Sequence, residues 1–254
     1  MTKSNYLSHR IVGDGYPVVF LHGFLESSTM WNYLNLEPQQ NQQFIYIDLP
    51  GHGNSTQHTA TSVKEMALKV KALLQSLFIK EYSIVGHSLG GYVGLELVDD
   101  ELIAPEKICL YSSHPFEDSP FRKQNRNRFI RLVEDRKDLF LEEAIPGLFH
   151  SPKSVSNAIA ALIDEAKQLN FEHIQNASIA MRDRTDYRER CVQSSCEITY
   201  IGGKQDLLID QNRLGRWIKK ENIASYIIDD TAHMAHIEKT AILKEHLNTF
   251  LEQA

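Results

Sequence analysis

Apolar positions along the chain follow two periods. Six short runs rich in β-branched and aromatic residues, "PVVFLH" (17–22), "FIYIDL" (44–49), "YSIVGH" (82–87), "KICLYS" (107–112), "EITYIG" (197–202) and "ASYIID" (224–229), have turn residues nearby and predict buried strands. Between the second and third lies "SVKEMALKVKALLQSLF". Its apolar positions 63, 66, 67, 70, 73, 74, 77 and 78 form one helical stripe, opened by the capping-box pair Ser62 and Glu65. "LGGYVGLELVDD" (89–100) and "TAILKEHLNTFLEQ" (240–253) read as further helices. Strands that alternate with helices predict an α/β fold, a mostly parallel central sheet flanked by helices.

One connection breaks the rhythm. About 80 residues separate "KICLYS" from "EITYIG", where about 2 to 6 plus one helix would suffice. The intervening segments "SPFRKQNRNRFIRLVEDRKDLFLEEAIPGLF", "SPKSVSNAIAALIDEAKQLN" and "FEHIQNASIAMRDRTDYRER" read as helical throughout. The expectation is a core made of residues 1–114 and 194–254, with a helical lid of residues 115–193 inserted after the fourth strand. Ligands in open α/β sheets bind at the carboxyl ends of the strands, where such a lid would sit.

Composition narrows the class. A length of 254 residues suits one α/β domain, and 27 basic against 33 acidic residues give a net charge of −6, which argues against a nucleic-acid or anionic-membrane binder. No apolar run approaches the length of about 18 residues that a membrane span needs, and "MTKSNYLSHR" lacks the apolar middle of a leader. Cys109, Cys191 and Cys196 are odd in number and match no zinc spacing, so free thiols and a cytoplasmic location are expected.

The chemistry centres on Gly86-His87-Ser88-Leu89-Gly90, a G-x-S-x-G pattern between a predicted strand and a predicted helix. A sharp turn there would present Ser88 at the head of the helix, with small residues two positions to either side letting strand and helix approach. "HGFLESSTMW" (22–31) is similar to an oxyanion loop, "DLPGHGNS" (48–55) to the glycine-rich loop that follows, and "GGKQD" and "TAHMAH" to acid and histidine segments. With these motifs the chain resembles the serine hydrolases of the α/β-hydrolase superfamily from about residue 6 to its C-terminus, in the chain order serine, acid, histidine. That family usually opens with two antiparallel strands. Here "NYLSHRIV" leaves room for little more than one, so a shortened sheet edge is expected.

A serine hydroxyl near neutral pH needs a base within hydrogen-bond reach and a group that orients the base. Of eleven histidines, His87 reads as scaffold pointing away from its neighbour, His22 and His52 as braces of glycine-bearing loops, and His22 and His114 as candidate pocket lining. His233 and His236 compete for the base. The resemblance assigns His233, with Ala232 standing where the family usually has glycine, and leaves His236 a capping or packing role. Asp206, in a loop after the fifth of these strands, is the candidate acid. Asp210 is its nearest competitor, Glu117 and Asp118 suit a rarer placement, and Asp48 resembles the family's structural aspartate. The backbone N–H groups of Phe24 and Leu89 are the implied oxyanion donors.

Other chemistries fail on the residues. "GGKQ" is no P-loop, since Ile198 and Gln205 stand where glycine and Ser or Thr are needed, and neither a dinucleotide fingerprint nor a metal-binding H-E-x-x-H occurs. No cofactor is expected. The reading is hydrolysis of a small-molecule ester, with a thioester, a carbon–carbon bond hydrolysed by the same triad, or ligand binding with little turnover as alternatives. A basic run, Arg122, Lys123, Arg126, Arg128, Arg131, Arg136 and Lys137, reads either as a solvated helix face or as a docking surface for an anionic substrate or carrier.

Overall fold

In the second strand Val18 and Phe20 point one way and Val19 and Leu21 the other, and all four are buried. A strand buried on both faces must lie inside a sheet covered by helices on each side. The computed structural model, which describes residues 5–252, has that arrangement. Its strands are β1 (His9–Gly13), β2 (Tyr16–Leu21), β3 (Gln42–Ile47), β4 (Ser83–His87), β5 (Lys107–Tyr111), β6 (Glu197–Gly203) and β7 (Ala224–Ile228). They pair in the order β1-β3-β2-β4-β5-β6-β7, parallel except for β1 against β3. The helices are α1 (Val63–Ser76), α2 (Leu89–Leu95), α3 (Pro120–Ala144), α4 (Ser156–Lys167), α5 (Phe171–Asp183), α6 (Arg188–Gln193), α7 (Gln211–Glu221), α8 (Ala235–Glu238) and α9 (Thr240–Leu251). Among the described residues no helix is long and apolar enough to cross a membrane. Residues 1–4, part of the segment read for a leader, and Gln253, the end of the predicted last helix, lie outside the described residues.

The two faces carry separate cores. On one, Val19, Leu21, Ile45 and Ile84 meet the stripe of α1, the buried α2, and Leu214 and Trp217 of α7. On the other, Val18, Phe20, Phe44 and Tyr46 meet Trp31 and the Leu243, Leu247 and Phe250 row of α9. α1 begins as its sequence implies: Ser62 accepts the Glu65 amide at 3.1 Å, while the Glu65 carboxylate accepts the Thr61 amide at 2.7 Å. The N-terminal edge is short, since β1 is the one strand before β2 among the described residues.

Three expectations change, and one helix is added to them. "ASYIID" was expected as a buried strand, but β7 pairs only with β6, and as a sheet edge it buries Ile228 alone. Phe78, counted in the α1 stripe, falls beyond the helix end in a left-handed conformation and is 91% exposed. α7 is an element beyond the predicted ones: its apolar stripe is short, Leu214, Trp217 and Ile218 alone among eleven residues. The insert is not helical throughout: α3 breaks at Arg136 (φ −143°, ψ 47°), and Pro146 then sits in a 3-10 turn, Ile145–Leu148.

That insert is anchored in two ways. Val133, Leu141, Ile159, Leu162 and Ile174 form a small core of its own with Leu25 and Met234, whereas Ala177, Met181, Tyr187 and Cys191 join the sheet core. The fully buried Arg184 lies 2.9 Å from the fully buried Asp118 and 4.1 Å above the Tyr92 ring. Trp31, on an unread 3-10 turn (Ser28–Leu34), packs edge-on against Phe20 at 5.2 Å. Trp31→Ala should therefore cost about 3 to 5 kcal/mol in urea unfolding, whereas Phe78→Ser should shift stability by less than about 0.5 kcal/mol.

Candidate active site

β4 runs directly into a turn that ordinary residues avoid. Ser88 has φ 48° and ψ −109° and stands directly before α2, a strained backbone worth about 1 to 3 kcal/mol. Its amide donates to the Tyr111 carbonyl at 2.9 Å, and its carbonyl accepts the Ser113 hydroxyl at 2.8 Å. The turn also needs room: a Cβ on Gly86 would lie 2.6 Å from the Gly91 nitrogen, and one on Gly90 would collide with the Leu21 carbonyl. The two neighbours at this turn diverge. Both border a cavity, but the buried His87 imidazole is held by Glu26 and the His233 carbonyl, whereas the Ser88 side chain has no such partner among the described residues.

The loops after β6 and β7 meet beside that turn. Asp206 is buried and accepts the Leu208 amide on Oδ1 at 2.8 Å and His233 Nδ1–H on Oδ2 at 2.7 Å. With Nδ1 committed as donor, Nε2 of His233 is the basic nitrogen. Burial opposes a charge on this ring, but the charge and hydrogen bond of Asp206 outweigh it and raise the pKa above the ordinary histidine value. The His233 backbone is fixed as well. Its amide donates to Leu148 at 3.0 Å, and the Glu238 carboxylate joins Thr231 and Ala232 of this loop to the His150 and Ser151 amides of the insert.

The rival candidates have other tasks. His236 Nδ1 accepts from the Tyr111 hydroxyl at 2.9 Å, the same oxygen that accepts the His236 amide. Asp210 caps α7 through the Arg213 amide, and Asp48 holds the amides of Ser28 and Asn54 at 2.8 and 2.9 Å. Asp118 pairs with Arg126 and Arg184, and Glu117 with Lys123.

One residue that the sequence reading missed is Glu26. Its buried carboxylate faces His87 Nδ1 at 2.8 Å through Oε2 and His236 Nε2 at 3.2 Å through Oε1, while His87 Nε2 donates to the His233 carbonyl at 3.2 Å. Burial disfavours the Glu26 charge, yet the electrostatic and hydrogen-bond contacts with His87 and His236 hold its pKa far below the usual carboxylate range. This one group links the loop after β2, the turn at Ser88 and the loop of His233. Gly23 makes the pair fit, since a Cβ there would strike the Glu26 carboxylate and lie 2.5 Å from His87 Nδ1. A glutamate inside the apolar "GFLES" stretch was the available signal.

Phe24 lines the same place and Leu89 follows Ser88 directly as the first residue of α2, and among the described residues neither backbone amide donates to an acceptor. The cavity has a volume of about 590 Å³, within the range for small-molecule sites. Phe24, Ser88 and His233 line it, beneath Phe129, Phe140 and Met181 of the insert. Phe24, Phe129 and Phe140 form an edge-to-face row with centroid spacings of 5.8 and 4.4 Å.

Two expected lining residues stay outside. His22 is fully buried, donates from Nδ1 to the Gly23 carbonyl at 2.7 Å and accepts the Leu49 amide on Nε2 at 2.9 Å, so it braces its loop as a neutral ring. His114 lies behind Tyr92, its Nδ1 accepting the Phe116 amide at 3.2 Å, and burial together with the Arg184 charge lowers its pKa well below the ordinary value. Of the seven basic residues at 122–137, only Arg122 and Arg126 line the cavity. Among the described residues no group of three or more His, Cys, Asp or Glu side chains is arranged so that it could hold a metal ion.

The family model for the alpha/beta hydrolase fold matches residues 16–240. The chain belongs to that family; it is an α/β hydrolase. It is 25% identical to the AB hydrolase superfamily protein YisY of Bacillus subtilis, over 95% of this chain and 92% of that protein. Among solved structures it is similar to a thermophilic esterase from Thermogutta terrifontis, with a TM-score of 0.88 and 22% identity, covering 97% of this chain and 93% of that one. It is also similar to the enol-lactonase from Burkholderia xenovorans, with a TM-score of 0.83 and 20% identity, covering 97% and 96% of the two chains.

The Asp206 contact has a measurable consequence at His233. In an NMR titration its imidazole should take up a proton with a midpoint above about 6.5, and Asp206→Asn should move that midpoint down, because burial then acts without the opposing carboxylate. A His233 midpoint unchanged by the substitution would contradict the pairing.

Proposed function

We propose that the chain is a serine hydrolase that cleaves a small-molecule carboxylic ester through an acyl-enzyme on Ser88. The observation carrying this reading is the convergence on one cavity of a strained serine, a histidine oriented by a buried carboxylate, and Phe24, whose backbone amide has no acceptor among the described residues. The equally unengaged amide of Leu89 comes directly after the serine. Ser88 Oγ attacks the ester carbonyl carbon while His233 Nε2 takes its proton, and Asp206 stabilises the resulting imidazolium. Charge that develops on the carbonyl oxygen is met by the N–H groups of Phe24 and Leu89; losing one such donor typically costs about 3 to 4 kcal/mol. Collapse of the intermediate passes the proton from His233 to the departing alcohol. Water activated by the same nitrogen then attacks the acyl-enzyme and releases the acid.

Residues 115–193 act as the lid of this site. Phe129, Phe140 and Met181 roof the cavity, and Glu165 of α4 accepts the Ser27 hydroxyl from the loop that carries Phe24. The esterase and enol-lactonase named among the structural neighbours fit cleavage of an open or cyclic ester. Three buried, unpaired cysteines support a cytoplasmic setting.

Ser88→Ala should lower kcat toward p-nitrophenyl esters by at least ~10⁴-fold with the fold retained. In the active enzyme kcat/KM should fall as pH drops through a midpoint above about 6.5, since the raised His233 pKa means that the base is lost by protonation earlier than in a free histidine. Full activity of the alanine variant would overturn the reading.

A further inference from the structure

The cavity is apolar in depth but polar along one wall. α3 turns Arg122, Asn125, Arg126 and Phe129 toward it at helical spacing, so the first turns of that helix supply the polar part and Phe129 begins the aromatic part. The charges on the lining are nearly all accounted for. Glu26 is matched by His87, and Arg126 donates to Asp118. Arg122 differs: it is half-buried, and among the described residues its guanidinium forms no ion pair or hydrogen bond, its backbone amide alone going to Ser119 at 3.3 Å. Its positive charge is felt at both His233 and His114, where it disfavours protonation. An unmatched cation beside an apolar cavity costs free energy that an incoming anion would recover, and the N-terminus of α3 adds to the positive potential. At the mouth, Phe121 and Leu207 are 69% and 86% exposed and frame an apolar entrance.

We propose that the substrate is an ester bearing a carboxylate, which Arg122 binds while the hydrocarbon part lies against Phe129 and Phe140. The proposal rests on the ester-hydrolase reading of the same cavity. A guanidinium presents two parallel N–H groups to a carboxylate, so it selects an acid group over a methyl of similar size. Arg128 provides the control, as it stands on the same helix, exposed and outside the lining.

The test compares p-nitrophenyl hexanoate with mono-p-nitrophenyl adipate, which have acyl chains of equal length and differ in a terminal carboxylate. A second pair moves the carboxylate to the alcohol part. The quantity read is the ratio of kcat/KM for the charged ester to that for the neutral one. The full-length enzyme should favour the charged member of at least one pair, and Arg122→Met should lower that ratio about 30-fold, whereas Arg128→Met should leave it within about two-fold. A ratio unaffected by Arg122→Met, or lowered equally by Arg128→Met, overturns the assignment while leaving the ester-hydrolase reading intact. No turnover of any of these esters by the unaltered enzyme sinks that reading and the proposal with it.

Discussion

Everything at this site depends on a serine held in a conformation that serine avoids. Ser88, with φ 48°, can stay there because β4 lies in the middle of a seven-stranded sheet and α2 packs directly against it. The approach is close enough that neither Gly86 nor Gly90 has space for a side chain. Strain of this size is kept only where the surroundings over-determine the backbone. Here the buried strands and two hydrogen bonds, to Tyr111 and from Ser113, do so. The result is a hydroxyl at the carboxyl end of a central parallel strand, facing the helical insert.

A second constraint is electrostatic. The region behind Ser88 is buried, so each charge placed there needs a partner. Asp206 is matched to His233, Glu26 to His87, and Asp118 to Arg184 and Arg126. These pairs also join segments far apart in the chain. The Glu26 carboxylate spans 61 residues to reach His87, and the same carboxylate touches His236 just beyond His233. Because the loop after β2, the turn at Ser88 and the loop of His233 share that buried group, displacement of one would leave a charge exposed to low dielectric. The cavity thus combines rigid walls on the sheet side with an insert whose small core is distinct from those of the sheet.

Much of this was legible in the sequence, for physical reasons that differ from place to place. The parallel strands are short apolar runs because both their faces are covered, and α1 shows its stripe because only one face is. β7 kept the strand composition but not the burial, since an edge has a neighbour on one side only. α7 carries its period in only three apolar residues, Leu214, Trp217 and Ile218, set among polar ones. The Ser88 turn could be read because local geometry demands glycines at fixed offsets. Glu26 could not, since its role arises from contacts made across the folded chain, and His22 and His114 were misread as lining because adjacency to a glycine loop or a strand end does not say which way a ring turns.

The proposed reaction requires that Ser88, and not another hydroxyl, be the nucleophile activated by His233. The most direct measurement is to treat the protein with a serine-reactive fluorophosphonate and locate the adduct by peptide mass spectrometry, alongside a His233→Ala variant. One adduct is expected, on Ser88, with a rate of formation that collapses in the variant. An unlabelled Ser88, an adduct on another residue, or labelling indifferent to His233 would contradict it.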